Sequence, residues 1–168
     1  MMHARAAEFA LTTPCQGHID FLVAAGIATH DMIWPEPILA ARGHRHEDGR
    51  FDFDPEGEEW LAIAEPEDTV FWNPETGELA LATGRAFALG EAVIWEPGMF
   101  ALGFHLNIFD NPLDWLVHRR DGIVPVPTQW HLAFERLRDS PRVAVVPSLL
   151  EAYQAAMRPR VPDVAVLV

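Results

Sequence analysis

Between residues 38 and 95, turn residues interrupt this chain before a helix of three turns can form. Asp48-Gly49, Asp54-Pro55-Glu56-Gly57 and Asn73-Pro74-Glu75-Thr76-Gly77 punctuate the segment. Such spacing restricts the segment to short antiparallel strands. The Asp48-Gly49 pair predicts a two-residue hairpin loop. That register sets Glu47 opposite Arg50 and Arg45 opposite Asp52 on one side of the ribbon. The other side then carries His46 opposite Phe51 and His44 opposite Phe53. The charged side is expected to meet water, and the His/Phe side to meet the core.

The stretches beginning at Asp54 and at Asn73 resemble each other, each a turn of the form (Asp/Asn)-Pro-Glu with a nearby Gly, then a strand. Two copies are fewer than a solenoid needs. They are read as successive hairpins of one antiparallel meander, with residues 87–95 as a further strand bent at Gly90. Ahead of the meander, residues 1–15 read as a loosely held lead-in. Residues 18–25 read as a short helix stopped by Gly26.

After Pro97-Gly98 the pattern alternates. Strands are predicted at residues 104–109, 123–126, 143–146 and 164–168. Helices are predicted from an Asn111 cap to Arg120, from Thr128 to Arg138, and over residues 148–157. This order implies βαβ units around a parallel sheet. The chain is therefore read as one domain, residues 1–168, of α+β or α/β class. An N-terminal antiparallel β-meander of hairpins (1–97) precedes a small three-layer α/β half (98–168). The element order of that second half resembles a toprim-like nuclease or primase domain. That family's metal site is missing, because no carboxylate follows the strands ending in Val126-Pro127 and Val146-Pro147-Ser148.

The charge balance narrows the function. Net charge is -13, which repels phosphate backbones, so nucleic acid is not expected as a direct electrostatic partner. Every basic side chain apart from histidine is Arg, which removes Schiff-base and lysine general-base chemistry. The only two serines, Ser140 and Ser148, lie outside any nucleophile-elbow motif. The acidic stretch Glu56, Glu58, Glu59, Glu65, Glu67 and Asp68 matches no EF-hand spacing and reads as a solvated, edge-protecting face. A single cysteine, no signal-like N-terminus and no run of membrane-spanning length indicate the cytosol of a bacterium, with no membrane partner.

Three groups of residues stand out as candidates. Cys15 and His18 are spaced i, i+3 at a helix start, and His44 and His46 share one strand face. Together they would supply four ligands of the types zinc takes. Asp110, Asn111 and Asp114 stand where a predicted strand meets a capped helix, the place where open α/β sheets bind ligands. Trp34 and Trp72 adjoin prolines in turns and are candidate contact residues. The absence of recognisable catalytic motifs points to a non-catalytic binding or accessory module acting through protein contacts. The alternatives are a zinc-dependent protein or hydrolase built on Cys15, His18, His44 and His46, and an acidic DNA-mimic inhibitor. Zinc is the one cofactor that the residue types suggest.

Overall fold

The computed structural model describes residues 11–158, except for the side chains of residues 99, 101 and 102. Helix α1 (Gln16–Ala24) buries Leu22, and α2 (Thr29–Ile33) buries Met32. The stretch before them is not loose at its end. Thr12 and Ala40 exchange two backbone hydrogen bonds of 2.8 Å each.

Five antiparallel strands follow: β1 (Leu39–Arg45), β2 (Phe51–Phe53), β3 (Glu58–Glu65), β4 (Asp68–Trp72) and β5 (Leu79–Leu81), in the order β2-β1-β3-β4-β5. The sheet curls until Leu81 N–H donates to the Gly49 carbonyl at 3.0 Å, so its far edge meets the tip of the first hairpin. Both faces are buried, which a curled sheet covered by other elements requires. One face is aliphatic, with Leu61, Ile63, Val70, Leu79 and Leu81 around Trp72. The other alternates alanine with aromatic rings: Ala41, Ala62 and Ala80 beside Phe51, Trp60 and Phe71. Phe51 and Phe71 stack at 3.9 Å. The small residues make room for the rings, and this is close-packed complementarity.

The first hairpin corrects the predicted register. Its loop has three residues, because His46 N–H donates to the Arg50 carbonyl (2.8 Å) and Gly49 N–H to the His46 carbonyl (3.0 Å). Gly49 sits at φ 87, the left-handed position that such a loop demands. Arg45 therefore faces Phe51, and His44 faces Asp52. A shift of one residue sends every side chain to the opposite face. His44 and His46 point to solvent, while Phe51 enters the aromatic core.

The repeated turns also part ways. Asn73 builds the expected β4–β5 hairpin, its Oδ1 accepting from Glu75 N–H (2.9 Å) and Thr76 N–H (3.3 Å). The Asp54 turn builds no hairpin. It carries the chain across β1, so that β2 and β3 lie on opposite sides of that strand. Gly43 is the crossing point, facing Phe53 on one side and Glu58 on the other. A Cβ on Gly57 would lie 2.7 Å from the Gly43 Cα, and one on Gly43 would collide with the Asp52 carbonyl. Only glycine fits at either position.

The acidic stretch is not uniformly solvated. Asp68 is buried and accepts four backbone N–H groups: Thr69 (2.8 Å), Thr83 (2.8 Å), Arg85 (2.7 Å) and Ala86 (3.1 Å). Its carboxylate ties the β3–β4 turn to the loop leaving the sheet, and so compensates its own burial.

The second half is built from shorter pieces. Strand β6 (Ala88–Leu89) stops at Gly90, and Glu91–Trp95 is a 3₁₀ turn where a strand is predicted. A second 3₁₀ segment, Pro97–Gly103, leads to β7 (Leu106–Ile108), α3 (Pro112–Val117) and β8 (Val124–Pro125). Then come a 3₁₀ turn running into α4 (Ala133–Leu137), β9 (Val143–Val145), and another 3₁₀ turn running into α5 (Leu150–Ala156). Strands β7 and β9 are parallel, as the alternating order predicts. Strand β8 pairs antiparallel with β6 and touches β7 only through a parallel bridge between Ile123 and Ile108. Among the described residues of this half the parallel part is one strand pair and one bridge, not a toprim-like sheet. The strand predicted at residues 164–168 lies outside the described residues. One apolar cluster runs from Leu22 through the sheet to Trp115 and Val126, so both halves contribute to it.

Candidate functional site

Cys15 stands at the position before α1, without a side-chain cap bond, and His18 stands one turn further on, so the i, i+3 spacing does bring them together. Their third neighbour is Glu59 of β3. Glu59 Oε1 accepts from Cys15 N–H (2.8 Å) and from His18 Nδ1–H (2.9 Å). One ligand-type atom from each of Cys15, His18 and Glu59 lies within 4.8 Å of the others, the one such group of three among the described residues. Desolvation raises the Glu59 carboxyl, but the hydrogen bonds from Cys15 and His18 outweigh it and hold the group below its ordinary value. His44 and His46 do not join this group. The corrected register turns them outward, toward Asp52 (3.9 Å) and Asp48 (3.2 Å) respectively, with more than half of each side chain exposed. Glu59 was legible in one respect, since it alternates with Leu61 and Ile63 and so shares their inward face.

At the carboxyl ends of β7 and β9, Asn111 performs the expected capping. Its Oδ1 accepts from Asp114 N–H at 2.8 Å. Its amide also donates to Asp110 Oδ1 (2.8 Å) and Asp114 Oδ2 (2.9 Å). Ser148, arriving from β9, donates its hydroxyl to Asp110 Oδ2. The Ser148 hydroxyl, with Asn111 assisting against desolvation, holds the Asp110 carboxyl below its ordinary value. Neutral donors thus hold both carboxylates in place. Ser148 was hidden because only the parallel pairing of β7 with β9 brings residues 110 and 148 together.

The two tryptophans separate. Trp72 is 3% exposed in the aliphatic face and packs near Phe21, which corrects its assignment as a contact residue. Trp34 is 65% exposed and Ile33 60%. Ile33, the last residue of α2, lines a groove of about 300 Å³ running between α1, α2 and the start of β1, and Trp34 is the next residue along the chain. Ile19, Leu22, Met32, Pro37, Ile38 and Leu39 supply most of its wall, and no charged side chain lines it.

A cavity of about 230 Å³ lies where the sheet meets the second half, with Glu65, Glu91, Arg136, Arg85 and Trp95 in its wall. Glu65 Oε1 accepts from Gly90 N–H at 2.6 Å. Glu91 Oε2 accepts from Phe87 N–H at 2.7 Å, and its other oxygen is 3.4 Å from Arg136 Nη1. Burial pushes Glu65 up to about 7, with the charge of Glu91 adding to the shift and the Gly90 N–H opposing it. One carboxyl that holds its proton near neutrality thus stands beside one paired with an arginine. Sequence reading placed Glu65 in a solvated stretch, because nothing local shows that the 3₁₀ turn folds back over it.

No family model, no curated protein and no solved structure matches this chain. No helix among the described residues is long and apolar enough to cross a membrane.

Proposed function

We propose that this chain is a binding or accessory module that holds an apolar segment of a partner protein in the groove between α1, α2 and β1. The observation that carries this reading is an uncharged, apolar groove lined by the exposed Ile33, with the exposed Trp34 next to it in the chain. Most exposed apolar residues on a protein are scattered, but a contiguous set beside a concave apolar surface is the usual form of a contact site. Tryptophan is the residue most enriched among those that dominate binding energy. With a net charge of -13, the module favours a partner segment whose apolar anchors are flanked by basic residues.

Selection from a library of random displayed peptides tests this. Enriched peptides should carry apolar anchors with basic flanks, and Trp34→Ala should weaken them about tenfold or more. Binding should be indifferent to His44→Ala. Failure to enrich any peptide, or enrichment of peptides that bind Trp34→Ala equally well, would overturn the reading.

A further inference from the structure

We infer that Cys15, His18 and Glu59 form a binding site for one zinc ion, separate from the groove and independent of the proposal made for it. The argument begins with donor chemistry. Thiolate, imidazole and carboxylate are the three side-chain types that bind zinc, and three protein ligands leave a fourth position for water. The three come from two rigid elements. Cys15 and His18 are fixed by the start of the nine-residue helix α1, and Glu59 lies within β3, paired with Arg42 of β1. Their ligand-type atoms already lie within 4.8 Å of one another. Zinc at its normal bond lengths, roughly 2.0–2.3 Å, needs ligand atoms about 3.3–3.8 Å apart around a tetrahedron. Reaching that spacing closes a gap of up to about 1 Å and replaces the hydrogen bond between His18 and Glu59 with bonds to the metal.

The electrostatics agree. Zinc binding requires the Cys15 thiol to release its proton to solvent, and Cys15 is exposed, so both the proton and the ion have a path. The net charge of -13 favours cations at the surface.

A purely structural role for the cluster makes a different forecast. In that case Glu59 simply accepts the Cys15 and His18 N–H groups and ties α1 to β3, and the site has no metal affinity. The full chain, stripped with chelator, should therefore be titrated with Zn²⁺ against a chromophoric competitor, and with Co²⁺ by absorption. One equivalent should bind, and cobalt should show a thiolate-to-metal charge-transfer band. Cys15→Ser should abolish that band while leaving the fold intact, because the side chain is exposed. His18→Ala and Glu59→Gln should each weaken zinc by on the order of a hundredfold, at or beyond the loss seen for removing an outer-shell partner. Glu59→Gln keeps an oxygen for the Cys15 N–H, so it separates metal affinity from folding. His44→Ala with His46→Ala should leave affinity unchanged. Absence of the charge-transfer band, or zinc affinity that survives Cys15→Ser, would overturn the inference. So would loss of zinc on changing His44 and His46 alone.

Discussion

The sheet and the half that follows it solve the same packing problem with different means. In β1–β5 almost every inward position is filled on both faces, and turns of two chemical types set the strand ends. After residue 98 the strands are three residues or fewer, the α-helices run five to seven residues, and α5 buries no side chain fully. Helices that short have little stability of their own. They hold because they lean on β7, β9 and one another. The difference shows that the sheet's turns are marked locally, whereas strand register and the short helices take their instructions from what they pack against.

The sharpest way to break this contrast is a matched pair of truncations. Phe71→Ala removes a fully buried ring stacked on Phe51, and should cost about 3–5 kcal/mol in denaturant unfolding. Phe134→Ala in α4 removes a half-buried ring and should cost only about 1–2 kcal/mol. Equal losses would mean that the two halves are packed alike.

The cavity between them gives the next largest effect. Glu65 keeps its proton to about 7 in the folded chain, against an ordinary 4.5. Between those values the folded chain holds a proton that the unfolded chain has released. Stability therefore falls as pH rises through this window, and the loss is complete above it. Glu65→Gln cannot ionise, and should be more stable than the parent at pH 8 by about 2 kcal/mol, after allowance for its partial exposure. The advantage should vanish near pH 4. Urea melts at the two pH values check this, and a pH-independent difference would place Glu65 in contact with water.

The smallest effect tests a cap. Asn111→Ala removes the acceptor of the Asp114 N–H and the donor to two carboxylates, and should cost about 1 kcal/mol. Its thermal melt should shift less than that of Phe71→Ala, since one turn of a six-residue helix depends on it.

Much of the fold can be read directly from the chain. The turns at Asp48-Gly49 and Asn73-Pro74, the strands around them, and the Asn111-Pro112 helix start all lie near their predicted places. Each rests on interactions between residues a few positions apart. The errors share one cause. Whether the Asp48-Gly49 loop holds two residues or three depends on how Phe51 is received by Phe71 and Trp60, and that choice decided which way His44 and His46 point. The candidate zinc site was therefore half legible. Cys15 and His18 belong to one helical turn, but Glu59 stands 41 residues beyond His18 and reaches it only through the placement of α1 beside β3.

By itself, then, the sequence determined the alternation of turn and strand, the helix starts and the acidic charge, because these follow from backbone preferences and local hydrogen bonds. Only the tertiary structure decided which carboxylates are solvated and which are enclosed. Asp68, Glu65 and Glu59 stand in one acidic stretch with Glu56 and Glu67, but the first three fold inward against backbone N–H groups. Burial and hydrogen bonding are properties of what surrounds a side chain. Alternation along β3 hints at the inward face of Glu59, but the partners of all three carboxylates come from elsewhere in the chain and meet them only once it has folded.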